Sequence, residues 1–171
     1  DILRFVEDLA LPVLDAFIFL HKTGIIHGDI KPENIGLQGR QSKVMDFGLA
    51  TTLAEGGTHG GTPGYLPPET FFGGSLSGSQ QDIFSLAMTF YVMLVGHHPF
   101  QDIPEALHGK PTGEWLSLVK PPSKLRAELG EDFDLVIMNG LALRPEDRFQ
   151  TMAEFEGTFR KAFKLWETKP F

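Results

Sequence analysis

Four polar residues lie close together in the sequence and have the types and spacing that phosphoryl transfer needs. Asp29 could accept the proton of a substrate hydroxyl, and Lys31 could reach the transferred phosphate. Asn34 offers a neutral oxygen and Asp46 a charged one, and such a pair suits Mg²⁺, which takes few protein oxygens. Because phosphoryl transfer asks little covalent chemistry of a protein, these groups would act by positioning the reactants and by neutralising charge.

The elements that must position these residues are helices and one small β-hairpin. Apolar residues recur at helical spacing over Leu9–His21, where Pro12 predicts a kink or a late start. Ile25-Ile26, Ile35-Gly36-Leu37 and Lys43-Val44-Met45 are typical of short strands, and the turn-like residues between the second and third predict a hairpin. This hairpin would carry the loops that hold the four polar residues.

The remaining helices are predicted from longer apolar patterns. Ile83–Val95 is apolar on nearly all faces, which indicates a central buried helix. Asp132–Leu143 and Thr151–Leu165 are amphipathic, and the second begins with a capping-box pattern that ends at Glu154. The sequence therefore predicts a mainly α domain, α+β overall, in which a helical bundle surrounds the buried central helix.

Two segments are expected to lack regular structure. Thr51–Gly64 is rich in glycine and threonine and is predicted to be a mobile surface segment. Its run Gly56–Gly61 lacks the Lys-Ser/Thr ending of a phosphate-binding P-loop, so flexibility explains the glycines better. Gly96–Pro122 is rich in proline and glycine and is predicted to be a loop region with one short helix around Glu105.

Composition narrows the classes of protein to consider. The chain has 171 residues, a net charge of -7 and no cysteine. Nucleic acid is excluded as the main partner because phosphate binding needs a basic footprint, and disulfides and thiolate metal sites are excluded outright. Ile83–Val95 is too short to span a bilayer and no signal peptide is visible, which favours a cytoplasmic location. Because Asp1 lies inside a helical pattern, we expect a fragment of a longer protein, whose other parts could include a membrane anchor.

Six motifs, in order, resemble those of one protein family. His27–Asn34 resembles the catalytic loop of eukaryotic-type serine/threonine protein kinases, and Asp46-Phe47-Gly48 resembles their metal-binding motif. The other four motifs are Gly61-Thr62-Pro63-Gly64-Tyr65-Leu66-Pro67-Pro68-Glu69, Asp82-Ile83-Phe84-Ser85-Leu86, Gly96-His97-His98-Pro99-Phe100 and Arg144-Pro145-Glu146-Asp147-Arg148. One such motif often arises by chance, but six in order do not. Residues 1–171 are therefore similar to the C-terminal lobe of that kinase fold, with residues 46–69 as its activation segment.

This resemblance implies roles for individual residues. Asp29 is similar to the catalytic base, Lys31 to the phosphate-contacting lysine, and Thr62 to the threonine that bridges those two. Asn34 and Asp46 correspond to the metal ligands of the family. The implied reaction is transfer of the ATP γ-phosphate, with Mg²⁺ or Mn²⁺, to serine or threonine hydroxyls of protein substrates.

The resemblance also implies structural roles for five residues. His27 resembles a spine residue that stacks near Phe47. Asp82 is expected both to cap the N-terminus of the central helix and to hold the backbone of the catalytic loop. Glu69 and Arg148 resemble a buried ion pair, in which the loss of one partner is costly.

One departure from the family pattern concerns regulation. Gly28 replaces an arginine that, in many kinases, reads a phosphate on the activation segment. Without that charge partner, phosphorylation is not expected to be the main switch at any of three nearby threonines. These are Thr51, Thr52 and Thr58.

A second departure concerns nucleotide binding. Gly36 stands where the family usually has a bulky apolar residue beneath the adenine ring, so a looser floor is expected there. Ile35 and Leu37 point to the opposite face of the strand and cannot replace the missing side chain.

The N-terminal lobe of the family has no counterpart in this chain. Its glycine-rich loop, strand lysine and helix glutamate would all lie before Asp1, so the isolated chain is expected neither to bind ATP tightly nor to transfer phosphate. Its own N-terminal lobe is thus an expected partner. Two alternatives stay open: a pseudokinase or scaffold lobe that binds protein partners, and a small-molecule phosphotransferase of the aminoglycoside or choline kinase type. The latter class shares the His-Gly-Asp start but generally lacks the Gly61–Glu69 segment.

Overall fold

The structure, a computed structural model, describes residues 1–52, 54–55, 60–71, 77–99 and 113–169. The α-helices in this part of the chain are α1 (Ile2–Arg4), α2 (Leu11–Lys22), α3 (Gly78–Val95), α4 (Gly113–Leu118), α5 (Pro122–Leu125), α6 (Gly130–Gly140) and α7 (Met152–Glu167). The strands are β1 (Ile25–Ile26), β2 (Ile35–Gln38), β3 (Gln41–Val44) and β4 (Thr51–Thr52). The predicted mainly helical fold class is confirmed.

The segment of residues 27–34 between β1 and β2 is termed the polar loop. The helix that precedes it has an irregular first half. A π-helix over Phe5–Ala10 joins α1 to α2, and the N–H of Leu11 donates to the carbonyl of Val6, five residues back. Pro12 lies in the first turn of α2. Because proline has no N–H to donate and its ring crowds the preceding turn, the wider π turn accommodates it. Pro12 therefore marks an irregularity, but the late start is not observed, because helical backbone runs from Ile2 through the π turn into α2.

Two antiparallel strand pairs flank the polar loop. In the predicted hairpin, β2 pairs with β3 from Ile35 opposite Val44 to Gln38 opposite Gln41, and Gly39 begins the turn with φ +66°. The second pair, β1 with β4, was not predicted. A mobile segment was expected from Thr51 onward, but the β-branched threonines of β4 pair with β1 instead.

The central helix α3 begins five residues before its predicted start. Ser77 precedes the helix, so the prediction that Asp82 caps its N-terminus is wrong. The first turn of α3 packs directly on β1, because a Cβ on Gly78 would lie 2.5 Å from Cγ1 of Ile26. Polar residues of that turn are buried by partners across the fold: Gln80 Nε2 donates to the carbonyl of Phe149 at 3.1 Å. The early turns of α3 are therefore polar yet buried, and apolar periodicity does not reveal them.

An aromatic core joins α3, α6 and α7. The rings of Phe90 and Phe159 lie 5.5 Å apart, and Phe133 contacts Phe159 at 5.7 Å between ring centroids. Burying each such side chain contributes about 1.5–3 kcal/mol. The backbones of α3 and α6 approach closely because Gly140 has no side chain, and a Cβ there would lie 2.5 Å from Cβ of Ala87. Helix α3 joins this core to the polar loop, since Asp82 of α3 binds the loop backbone.

The capping pattern predicted at α7 is present in part. The Thr151 side chain accepts a hydrogen bond from the N–H of Glu154 at 3.1 Å. The Glu154 carboxylate accepts the N–H of Gln150 rather than that of Thr151. The helix therefore begins as predicted, with a reciprocal bond displaced by one residue.

The predicted loop region Gly96–Pro122 contains regular structure that was not expected. Helix α4 lies within it, and α5 begins at its last residue. The helix predicted around Glu105 lies outside the described residues, as does Thr58. In the part of the chain that the structure describes, no helix is both long and apolar enough to span a bilayer.

Candidate active site

The loop between β1 and β2 is held from beneath by a carboxylate of α3. Asp82 is 1% exposed, and its two oxygens accept the backbone N–H groups of His27 and Gly28, each at 3.0 Å. His21 Nε2 lies 2.9 Å from the same carboxylate and donates to it. A buried carboxylate with three donors is well satisfied, so it fixes the loop backbone at this point. The predicted contact between Asp82 and the loop is present, and His21 is a partner that the sequence did not indicate.

The backbone at Gly28 explains why glycine suits this position. Its φ is +79°, in the left-handed region that other residues adopt at a cost of about 1–2 kcal/mol. A second glycine faces it, since a Cβ on Gly61 would lie 2.9 Å from the carbonyl oxygen of Gly28. The two loops thus approach each other through backbone atoms. This approach brings Thr62 to the polar loop.

Asp29, Lys31 and Thr62 form a closed set of hydrogen bonds. Lys31 Nζ donates to Asp29 Oδ2 at 2.9 Å and to Thr62 Oγ1 at 2.7 Å. The Thr62 hydroxyl and N–H both donate to Asp29 Oδ1, at 2.7 and 2.8 Å. Thr62 therefore lies between the other two, which is the bridging position that the resemblance implied. Both oxygens of the Asp29 carboxylate are therefore oriented by hydrogen-bond donors.

These donors also set the charge state of Asp29. Burial alone would raise the pKa of this carboxyl, but the hydrogen bonds from Lys31 and Thr62 and the charge of Lys31 outweigh burial. The pKa of Asp29 is therefore held below its usual range. Asp29 is ionised at neutral pH and can accept a hydrogen bond from a hydroxyl.

Asn34 is turned toward the same carboxylate by its amide nitrogen. It ends a 3₁₀ turn over Pro32–Asn34, and its Nδ2 donates to the carbonyl oxygen of Asp29 at 2.8 Å. Because the nitrogen is used in this way, the side-chain oxygen of Asn34 is the amide atom that could bind a metal ion.

Asp46 lies at the other end of the hairpin. The Met45 N–H donates to the carbonyl of Asn34 at 2.9 Å, which closes the base of the hairpin and places Asp46 next to it in sequence. Asp46 is exposed and has φ +60°, a strained value for a residue with a side chain. Its Oδ1 accepts the N–H of Gly48 at 3.2 Å. Hydrogen bonds join four of the predicted site residues, namely Asp29, Lys31, Asn34 and Thr62. Asp46 is held near them by the backbone bond between Met45 and Asn34.

Asn34 and Asp46 suit a magnesium ion better than a metal whose ligands all come from the protein. Among the described residues, no three His, Cys, Asp or Glu side chains cluster as a metal site. Mg²⁺ instead takes one or two protein oxygens and completes its shell with phosphate and water, which matches the side chains of Asn34 and Asp46.

His27 links the polar loop to the segment around Phe47. Its Nδ1 accepts the N–H of Asp29 at 3.3 Å, and its Nε2 lies 2.9 Å from the Met45 carbonyl. We assign the ring proton to Nε2 from these partners. The rings of His27 and Phe47 lie 4.8 Å apart between centroids, as the resemblance implied.

The segment Gly61–Glu69 is anchored to α3 and to the residues after it. Ser85 Oγ donates to the carbonyl of Tyr65 at 2.8 Å. His98 Nε2 lies 3.1 Å from the carbonyl oxygen of Gly64, and its ring meets the Tyr65 ring edge-on at 5.3 Å. Neither anchor was predicted from the sequence, although a serine inside an apolar helix is a possible signal. Burial and the nearby charge of Glu33 raise the pKa of Tyr65 to about 12, so its hydroxyl stays neutral.

Glu69 and Arg148 form a two-point ion pair. The guanidinium donates to the Glu69 oxygens at 2.6 and 2.8 Å, and Arg148 is 3% exposed. Arg148 Nε donates to the carbonyl of Ala142 at 2.8 Å, and its guanidinium carbon lies 4.9 Å above the Phe84 ring. This pair joins the end of the Gly61–Glu69 segment to the helical core.

Comparison with known proteins agrees with these motifs and their geometry. The protein kinase domain family matches residues 4–158. The chain belongs to the protein kinase family. Serine/threonine-protein kinase PknB of Mycobacterium tuberculosis is 38% identical over 160 residues, which cover 88% of this chain and 25% of PknB.

Two further relatives from other organisms are also named as protein kinases. Serine/threonine-protein kinase Pkn1 of Myxococcus xanthus is 35% identical over 162 residues, which cover 88% of this chain and 23% of Pkn1. CBL-interacting protein kinase 24 of Oryza sativa subsp. japonica is 38% identical over 95 residues, which cover 53% of this chain and 21% of that kinase. The chain spans about a quarter of the length of these relatives or slightly less.

Proposed function

We propose that this chain is the C-terminal lobe of a serine/threonine protein kinase, with residues 46–69 as its activation segment. The full-length protein would transfer the γ-phosphate of ATP to serine or threonine hydroxyls of protein substrates, with Mg²⁺ or Mn²⁺ as cofactor. The observation that carries this proposal is the Asp29 carboxylate, which Lys31 and Thr62 orient at 2.7 to 2.9 Å. The names of the relatives support serine/threonine specificity.

In the proposed reaction, Asp29 orients the attacking hydroxyl and receives its proton as the new phosphorus–oxygen bond forms and the bond from the γ-phosphorus to the leaving ADP oxygen breaks. Lys31 keeps Asp29 ionised and presents a positive charge to the transferred phosphate. Thr62 holds both side chains in place through its hydroxyl. Asn34 and Asp46 would hold the magnesium ion, which neutralises charge on the phosphates when bound.

The other half of the nucleotide site would come from an N-terminal lobe. ATP would then lie between the two lobes, so the 171 residues alone would neither bind it tightly nor transfer phosphate. We also propose that the protein works in the cytoplasm. Thr52 supports the view that phosphorylation near β4 is not the main switch, because its hydroxyl already donates to Glu55 at 2.9 Å, and a phosphate there would meet that carboxylate.

The test is phosphate transfer to serine and tyrosine peptides by the full-length protein. Asp29→Asn should lower the rate about 10²- to 10⁴-fold, because the base is lost while the shape of the side chain is kept. Asp15→Asn is the matched control: this aspartate is exposed on α2, away from the loop, and its loss should leave the rate unchanged. Alanine at Thr51, Thr52 or Thr58 should also leave most activity.

Three outcomes would contradict the proposal. A full-length protein that phosphorylates no peptide would favour the scaffold alternative, and one that phosphorylates only small molecules would favour the aminoglycoside or choline kinase type. Micromolar ATP affinity of the isolated 171 residues, measured by calorimetry, would contradict the two-lobe requirement.

A further inference from the structure

The threonine that orients Asp29 is the first residue of a β-turn over residues 62–65. The Tyr65 N–H donates to the carbonyl of Thr62 at 3.1 Å, which closes the turn. Pro63 occupies its second position and Gly64 its third, with φ +94°, which are the residue types and the backbone sign of a type II turn. A contact that holds this turn therefore also holds Thr62.

Gly64 has a carbonyl group that the turn itself does not use. Gly64 is buried, and a buried carbonyl without a partner is costly. His98 Nε2 lies 3.1 Å from this oxygen, and because a carbonyl only accepts, we assign the ring proton to Nε2. The imidazole also meets the Tyr65 ring edge-on at 5.3 Å. His98 thus contacts two consecutive residues of the turn, one by a hydrogen bond and one by its ring.

His98 reaches the turn from the end of α3. The helix ends at Val95, and Gly96 adopts φ +94° and donates its N–H to the carbonyl four residues back at 2.8 Å. This left-handed cap turns the chain directly after the helix, and His98 follows two residues later. Ser85 of the same helix donates to the carbonyl of Tyr65 at 2.8 Å. The turn is therefore held to α3 at two points, of which His98 is the one next to Gly64.

We infer that His98 is a positioning residue for the proposed phosphoryl transfer, which acts by holding the turn and, through the turn, Thr62 against Asp29. The inference rests on the proposed function. The effect begins at the hydrogen bond between His98 and Gly64 and continues through the bond that closes the turn on Thr62. It ends at Asp29 Oδ1, which accepts both the hydroxyl and the N–H of Thr62.

Two substitutions at position 98 of the full-length protein separate the hydrogen bond from the ring contact. His98→Gln keeps a side-chain N–H donor and has no ring, whereas His98→Phe keeps a ring and has no donor. His98→Phe should lower kcat for transfer to a serine peptide about three- to tenfold, the range of one lost hydrogen bond, with the KM for ATP unchanged. His98→Gln should recover most of that rate.

A double-substitution cycle tests whether the effect passes through Thr62. When residue 62 is alanine, the loss from His98→Phe should shrink to below about twofold, because the hydroxyl that orients Asp29 and Lys31 is already absent. Amide hydrogen exchange of residues 62–65 in the full-length protein, followed by mass spectrometry, does not depend on activity. His98→Phe should speed this exchange, and His98→Gln should leave it close to the original rate.

The outcomes separate this inference from the function on which it rests. A full-length protein that transfers no phosphate overturns the proposed function and the catalytic effect of His98 with it, while hydrogen exchange still decides whether His98 holds the turn. Three results overturn the inference alone: a kcat that His98→Phe leaves unchanged, equal losses in the two variants at position 98, or a loss from His98→Phe that simply adds to that of Thr62→Ala.

Discussion

Two regions of the molecule each hold a carboxylate against a cation, and their surroundings differ. The first region is the Glu69–Arg148 ion pair, termed the buried anchor. Its Arg148 side chain is 0% exposed and binds Glu69 together with backbone carbonyls. In the polar loop, the Lys31 side chain is 23% exposed, and it is shared between Asp29 and the hydroxyl of Thr62. The partners lie 79 residues apart in the first pair and two apart in the second.

The difference shows how burial decides what an ion pair does. In the buried anchor the arginine has protein partners on several sides, so removing one partner leaves an uncompensated charge in a dry site. In the polar loop, water can reach the lysine and screens its charge, so the pair contributes little to stability. Its effect falls on the pKa of Asp29 and on the orientation of that carboxylate. We therefore expect the buried anchor to govern folding and the polar loop to govern chemistry.

The largest expected effect is on the buried anchor. Arg148→Ala should lower the free energy of unfolding by about 3–5 kcal/mol, because it strands the Glu69 carboxylate and the carbonyls that Arg148 caps. Arg144→Ala, at an exposed position of the same motif, should change it by less than about 0.5 kcal/mol. Denaturant unfolding of the chain measures both. Equal losses would remove the distinction between the two arginines.

A smaller effect is expected from the backbone of the polar loop. Gly28→Ala and Gly28→Arg should each cost about 1–2 kcal/mol of unfolding free energy, because φ is +79° there. Restoring the arginine of other kinases would thus strain this loop. Gly157→Ala is the control in α7, where a Cβ meets nothing within 4 Å, and it should stabilise by roughly 0.5–1 kcal/mol. A gain in stability at both glycines would show that the strain is absent.

The smallest effect on stability is expected at Lys31. Lys31→Ala should change the unfolding free energy by at most about 1 kcal/mol. The lysine lowers the pKa of Asp29, so its loss should raise that pKa and move the acid limb of kcat/KM to higher pH. The stability that ionised Asp29 contributes is present above the pKa of the unfolded chain and is lost as pH falls through the folded pKa.

The pH–rate profile of the full-length protein measures this shift. Lys31→Arg keeps the charge and should leave the acid limb nearer to its original position. An acid limb that stays in place in Lys31→Ala would show that Lys31 does not control the pKa of Asp29. The two ion pairs would then not differ in their effect on catalysis.

The elements that could be predicted are those with a local cause. Pro12 predicted an irregularity in the first helix, and the turn residues between β2 and β3 predicted the hairpin. The elements that were missed depend on distant partners. β4 forms because β1 offers an edge to pair with, and the polar first turn of α3 is buried by groups such as the carbonyl of Phe149.

The candidate site divides in the same way. The residue types from His27 to Asn34 and their spacing were enough to predict the chemistry, because neighbours along a tight loop stay neighbours in the fold. The contact of Thr62 with Asp29, across 33 residues, was predicted only from the family resemblance. The placement of Met45 over Gly36, where a Cβ would lie 3.1 Å from Met45 Cε, was not foreseen at all, since the path of a long side chain across a hairpin depends on packing.

The sequence by itself determined the family and the residues proposed to do the chemistry, because both depend on the identity and order of residues. The tertiary structure decided which residues are buried among hydrogen-bond partners and which remain exposed to solvent. Asp82 satisfies the loop backbone from 55 residues away, and Arg148 is enclosed by elements that lie far apart in the chain. Burial and hydrogen-bond satisfaction depend on which residues meet in three dimensions and not on their order along the chain, so only the fold supplies them.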